Sequence, residues 1–457
     1  MAGTRMRAAL GGFATAAMVA LALPASAQVV VNPTANPTAL SDFGNQLLND
    51  GIFLRGHYVG EFAANPSGGN AQSARYAGQV DIGADFDMNK IAGISSSAIH
   101  LTFSDRHGQN LAHTDIGNSV SVQEVYGGGQ TYRLTELTWD QALFGDRVEY
   151  VIGRTDAPSD FAASSFYCNF QTNSTCGNSS LFGQDNSLNY YPVGVWGGRV
   201  TVKPTPNLYG QVGAYEQDPT QGSESTHGFD FGVDRATGYI LPVEFGYQTN
   251  FSSDAYPRHY KVGAFYDSGN YNDPFYDVTH GSAALTGLAH EQHSGRTSVY
   301  ALFDQMIWKP DPAGQRGLYV FGGVTAGTAS AQTADFYLQG GLLDKGPFVG
   351  RESDTIGFVV TDLHFGNLTQ NFLRDSRVAA GGSATTQNPN EVMMEINYGA
   401  QITPWLRVVP NLQYIINPDN LPEPSQKSNI PDTFVVGLKF AIGLPELFGL
   451  PTKNYNH

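Results

Sequence analysis

Two stretches of the chain hold residue types that do chemistry in other settings. His290-Glu291-Gln292-His293 has the residues of the HExxH zinc motif, where two histidines on one helix face bind the metal and the glutamate is the general base. Here one residue too few separates the histidines, and the segment lies in a long interval, 267–295, that reads as a solvated loop rather than a helix. The second stretch, 155–192, gathers Phe161, Phe166, Tyr167, Phe170, Phe182, Tyr190 and Tyr191 beside Arg154, Asp156 and Asp160. Rings and charges of this kind bind; they supply no nucleophile–base pair. No GxSxG elbow and no GxxxxGK[ST] phosphate loop occurs in the sequence, and Gly127-Gly128-Gly129 lacks the strand–helix setting that would cradle a phosphate. No catalytic residue, metal centre or cofactor is expected, and the chain does not read as an enzyme.

The elements around these residues are strands. From Gly51 onward, segments of about ten residues alternate between apolar and small or polar side chains. Tyr76, Gly78, Val80, Ile82, Ala84 and Phe86 share one face, opposite Ala77, Gln79, Asp81, Gly83 and Asp85. Val392, Met394, Ile396, Tyr398, Ala400 and Ile402 repeat the pattern, as do Phe434, Val436, Leu438, Phe440 and Ile442. A period of two sends successive side chains to opposite faces of a sheet. Sixteen strands are placed, starting near residues 52, 76, 98, 133, 148, 194, 208, 239, 259, 297, 317, 335, 355, 391, 406 and 434. A soluble sandwich would use strands of about 5–6 residues; segments of ~9–11 tilted residues are long enough to span a bilayer. The intervals after odd-numbered strands are mostly long and those after even-numbered strands mostly short, the asymmetry of outer-membrane barrels. In hydrocarbon every backbone N–H and C=O must pair within the protein, so a spanning sheet must close. The fold class is therefore all-β, a sixteen-stranded antiparallel transmembrane barrel, wide enough to hold a water-filled lumen.

Composition agrees. In 457 residues, charged side chains make up 14%, against roughly 25% in soluble globular proteins, while aromatics reach 12% and glycine counts 53. The acidic balance excludes a nucleic-acid binder, which needs a basic face. Residues 1–27 read as a signal peptide, with Arg5 and Arg7, an apolar run from Phe13 to Leu23, and Ala25-Ser26-Ala27 as the cleavage site. Its removal takes the formal net charge from −16 to −18. The division that follows is 1–27 signal peptide, 28–50 periplasmic segment with a short helix, 51–443 barrel and 444–457 C-terminal tail. Export places Cys168 and Cys176 in an oxidising compartment, where a disulfide between them is expected.

Fragments along the mature chain, in their order and spacing, resemble the carbohydrate-selective porins of the OprB type. They include Asn65-Pro66-Ser67-Gly68-Gly69, the run DIGADFDMNK from Asp81 to Lys90, Arg133-Leu134-Thr135-Glu136-Leu137, Gly153-Arg154 with Asp160-Phe161-Ala162-Ala163-Ser164, and Pro242-Val243-Glu244-Phe245-Gly246-Tyr247. The most specific is Glu391 to Pro418, EVMMEINYGAQITPWLRVVPNLQYIINP. The resemblance implies an outer-membrane channel that passes glucose and other sugars to the periplasm without chemistry or an energy source. Such a pore is expected to present charged groups to sugar hydroxyls and rings to sugar faces. Interval 155–192 is then the loop that folds into the lumen, and Arg154, Glu136, Asp156, Asp160, Phe166 and Tyr167 are the candidate sugar contacts around it. Arg55, Glu244, Glu395 and Arg407 are candidates on inward strand faces, with His57, Glu61, Lys261 and Gln413 beside them. Expected partners are the sugar, outer-membrane lipid and lipopolysaccharide, with the barrel a monomer or homotrimer. The alternative function is a general diffusion porin with weak cation preference; a barrel enzyme ranks below both.

Overall fold

The computed structural model describes residues 30–32 and 38–454; the expected signal peptide lies outside them. Sixteen strands close into one antiparallel barrel. They are β1 (Ile52–Ser67), β2 (Ala74–Asp87), β3 (Ser97–Gly108), β4 (Tyr132–Leu143), β5 (Val148–Thr155), β6 (Val195–Thr205), β7 (Leu208–Gln217) and β8 (Gly238–Gln248), followed by β9 (Arg258–Asp277), β10 (His290–Trp308), β11 (Gly317–Gly327), β12 (Ala334–Lys345), β13 (Thr355–Phe365), β14 (Asn390–Thr403), β15 (Leu406–Ile416) and β16 (Thr433–Gly443). Each pairs with its neighbour in the chain, and β16 closes on β1 through pairs such as Leu438↔Phe62 and Phe440↔Gly60. No helix among the described residues is long and apolar enough to cross a membrane.

The predicted strand starts hold to within two residues, except for β10, which starts at His290 rather than near 297. Its partner β9 has 20 residues and β10 itself has 19, so this hairpin continues well past the length needed to span. The continuation carries Asn270, Asn272 and Gln292, and with no bilayer around it the apolar alternation stops. His290-Glu291-Gln292-His293 therefore belongs to a strand, not to the loop expected from the sequence.

Adjacent side chains meet two environments. Glu395 is 0% exposed while Ile396, the next residue, is 51% exposed. Ile396 lies between Phe358 on β13 and Leu412 on β15, both also exposed, in one outward apolar row. The short connections, including 144–147, 206–207 and 404–405, gather at one end; the long ones, including 109–131, 156–194, 218–237, 366–389 and 417–432, gather at the other. A helix, Ser41–Asn49, precedes β1 at the short-turn end. The tail after β16 returns to it: Ser41 Oγ donates to Gly449 O at 2.7 Å, and residues 452–454 pair with 30–32.

Candidate functional site

The lumen is shaped by the segment that leaves the wall after β5. Asp156 caps the short helix Ala157–Asp160, its carboxylate accepting from Ser159 N at 2.9 Å. Burial pushes that carboxyl up to about 7. The chain then crosses the barrel and is held on the far wall at successive points. Ala162 N donates to Glu244 Oε2 at 3.0 Å, and the same carboxylate accepts from Tyr209 Oη (2.7 Å) and Tyr300 Oη (2.8 Å). Gln171 N and Thr172 N donate to Glu395 at 3.0 and 2.8 Å. Tyr337 Oη donates to Ser174 O. Asp185 accepts from Thr333 N (2.6 Å) and Ala334 N (3.0 Å), and burial pushes its carboxyl up to about 6. Cys168 and Cys176 are disulfide-bonded near the middle of this crossing. The chain returns through Tyr191, whose hydroxyl donates to Asp81 at 2.6 Å.

Five rings of the crossing loop face the wall. Phe161 packs on Tyr215 and Phe265, Phe182 on Phe265 and Tyr300, and Phe166, Tyr167 and Phe170 on Phe321. All five are buried. Phe166 and Tyr167, expected to touch sugar, are thus packing groups, because the loop needs an apolar underside to stay in a wet lumen. Glu244, Glu395 and Asp156 are likewise buried acceptors for loop N–H groups. Asp160 sits between Arg199 Nε (2.7 Å) and Tyr215 Oη (2.9 Å).

Arg154 departs furthest from expectation. It is 0% exposed and lies within the wall. When β5 leaves the sheet at Thr155, the upper part of β4 loses its neighbour, and loop 218–237 fills the gap. Leu134 N donates to His227 O at 2.9 Å. Gly228, at φ +71°, permits that approach; a Cβ there would lie 2.2 Å from Leu134 O. Arg154 ties the patch together, donating to Asp230 O (2.9 Å), Gly194 O (2.8 Å) and Gln221 Oε1 (2.8 Å).

Arg55 and Glu136 do open to the lumen, with side chains 26% and 30% exposed. Arg55 Nε lies 2.8 Å from Asp85 Oδ1, and Arg55 Nη2 lies 3.2 Å from Glu136 Oε2. His100 joins Asp85 at 2.8 Å, and His57 joins Asp81 at 2.8 Å. Together they form a paired ladder on β1–β4. Arg407, half-buried at the start of β15, donates to Ser353 O and Thr355 Oγ1 near the short-turn end.

A second inward loop, 109–131, has no counterpart in the expected site. Leu111, Ile116, Val122 and Gln123 are fully buried, and Gln123 Nε2 donates to Glu61 O at 2.8 Å. The alternation Val120-Ser121-Val122-Gln123 is the signal that would have marked it as packed chain. Between this loop and the crossing loop lies a cavity of about 760 Å³. Its lining includes Tyr126, Gln184, Asn186, Asn189, Tyr190 and Tyr191.

Residues 71–444 match the family described as "Carbohydrate-selective porin, OprB family". The chain is 32% identical over 420 residues to Porin B of Pseudomonas aeruginosa, covering 88% of this chain and 90% of that protein. It is 29% identical to the putative porin QuiX of Acinetobacter baylyi, over 88% and 92% of the two chains. The high-pH structure of Pseudomonas putida OprB superimposes with a TM-score of 0.80 at 31% identity, covering 88% of this chain and 97% of that one. A closed wall with two solvents, a lumen narrowed from within and a family match along most of its length lead to one conclusion: the chain belongs to the OprB family of carbohydrate-selective porins, channels of the bacterial outer membrane through which sugars diffuse passively, and it is not an enzyme.

Proposed function

We propose that sugar is selected in the cavity between the two inward loops, and that the substrates are monosaccharides and short oligosaccharides, glucose among them. The observation that carries this reading is the chemistry of the lining. Tyr126, Tyr190 and Tyr191 offer rings, while Gln184, Asn186 and Asn189 offer amides. A neutral sugar has C–H faces that suit rings and hydroxyls that exchange hydrogen bonds with amides. The charged groups bordering the cavity already have hydrogen-bond partners. Arg106 Nε donates to Gln79 Oε1 at 2.6 Å and its Nη1 to Gly127 O at 3.0 Å; Glu124 accepts from Lys439 at 3.0 Å. A solute therefore meets polar walls whose charged groups are already engaged, and then the Arg55–Asp85–Glu136 ladder. Outside, the exposed apolar rows serve outer-membrane lipid, and the long-loop end serves lipopolysaccharide.

The net charge of −16 favours the other reading, general diffusion with weak cation preference. Planar-bilayer conductance in rising glucose separates the two. Saturable block at millimolar sugar, weakened several-fold by Tyr126→Ala, is the expected result. A linear, sugar-blind conductance in the unsubstituted protein would replace selection by general diffusion.

A further inference from the structure

The β9–β10 hairpin continues beyond the span and ends in a cluster of mixed donors away from the sugar path. In its ladder Tyr271 faces His293 and Asn272 faces Gln292; the register then slips before Asp277↔His290. Residues 273–276 form the resulting bulge. Alternation places Glu291 and His293 on the same side of β10, and the bulge turns Asp273 toward them. One ligand-capable atom from each of Asp273, Glu291 and His293 lies within 4.8 Å of the other two. His293 Nε2 is 3.0 Å from Asp273 Oδ2. At the hairpin tip His280 Nδ1 is 3.4 Å from Glu291 Oε2, with its side chain 74% exposed.

The surroundings hold this set in place. Asp273 is 3% exposed, and its second oxygen accepts from Phe275 N (2.8 Å) and Tyr276 N (2.7 Å). Those bonds leave Oδ2 as the oxygen aimed at His293. His290, on the other side of β10, has Nδ1 2.7 Å from Asp273 O, and its ring packs on Phe372 of helix Asn367–Ala379. Buried, hydrogen-bonded support behind the donors is what orients a metal ligand.

We propose that Asp273, Glu291 and His293 bind a divalent transition-metal ion of the zinc class. Two carboxylates and one imidazole, with water in the fourth position, suit tetrahedral zinc. Calcium takes 6–8 oxygens, and magnesium keeps an octahedral shell of oxygens and water; neither finds that here. The ion would join the β9 bulge to β10, and so clamp a hairpin that otherwise stands free of the bilayer. The assignment is independent of how sugar is selected.

Calorimetric titration of the full-length protein in detergent with zinc chloride tests it. One zinc per chain is expected, with affinity lowered at least about tenfold by His293→Ala and by Glu291→Gln, and with no matching response to calcium chloride. Heat-modifiable migration on gels checks that both variants remain barrels. Cobalt(II) added to the unsubstituted protein gives a second readout that needs no variant: intense visible absorption, the mark of a tetrahedral site. Equal zinc affinity in His293→Ala, preference for calcium, or a cobalt spectrum of the hydrated ion would each overturn the assignment.

Discussion

Glu395 is the point at which the crossing loop is most open to test. Its carboxylate, 0% exposed, accepts from Gln171 N at 3.1 and 3.0 Å, Thr172 N at 2.8 Å and Asn397 Nδ2 at 2.8 Å. Glu395→Ala leaves three donors without that acceptor. A buried polar group left unsatisfied costs ~1–3 kcal/mol. Only Gln171 N and Thr172 N belong to the loop, and water in the lumen will re-pair part of the set, so the lower end applies to each, or about 2 kcal/mol for the two together. That is roughly a thirtyfold shift in the local equilibrium between docked and lifted loop. The effect stays local, because Glu244 still holds Ala162 and Asp185 still holds Thr333 and Ala334. In single-channel recordings, Glu395→Ala should give flickering current, higher mean conductance and weaker glucose block. Glu395→Gln keeps one acceptor oxygen and should fall between. Steady current with unaltered sugar block in Glu395→Ala would refute the idea that this carboxylate holds the constriction in place.

Two further outcomes follow from the same geometry. Ile396→Arg puts a charge into the lipid-facing row beside Phe358 and Leu412. It should cost ~2–4 kcal/mol of barrel stability near the bilayer midplane, read as a lower denaturant midpoint in lipid vesicles; an unchanged midpoint would mean that β14 faces the other way. Asp156, in the crossing loop just past β5, has its carboxyl pushed from 3.8 up to about 7 by burial. Folding thus favours the protonated form, so its contribution is full below the unfolded value and is lost as pH rises through about 7. Protease cleavage in the crossing loop should increase from about pH 5 to 8, and Asp156→Asn should flatten that profile; a pH-independent cleavage rate in the unsubstituted protein would contradict it.

The wall was legible in the sequence because two solvents sort its residues one by one, as Glu395 and Ile396 show. The reading stopped where that sorting stops. The ends of β9 and β10 leave the bilayer, so their strand character carries no apolar period. The ring content of 155–192 was plain, yet which way Phe166 and Tyr167 point depends on Phe321, a residue of β11 distant in the chain. Arg154 looked like a lumen residue because it borders the crossing loop. Its place in the wall depends on a gap that opens only once β5 has turned inward.

A wet lumen does not make each inward charge a ligand, and the buried glutamates explain why. Any chain folded into the barrel brings backbone N–H groups that must find acceptors, and the wall's own carbonyls are already engaged in the ladder. An inward carboxylate on a strand is the strongest acceptor the wall can offer. Four glutamates fill this role. Glu61 accepts from Val125 N at 3.3 Å, Glu244 from Ala162 N at 3.0 Å, Glu391 from Asp419 N at 2.7 Å, and Glu395 from Gln171 N and Thr172 N. All four are buried. They serve three different loops, 109–131, 156–194 and 417–432. The lumen's glutamates thus divide by exposure: buried ones hold inward loops, and the half-exposed Glu136 pairs with Arg55 on the open wall.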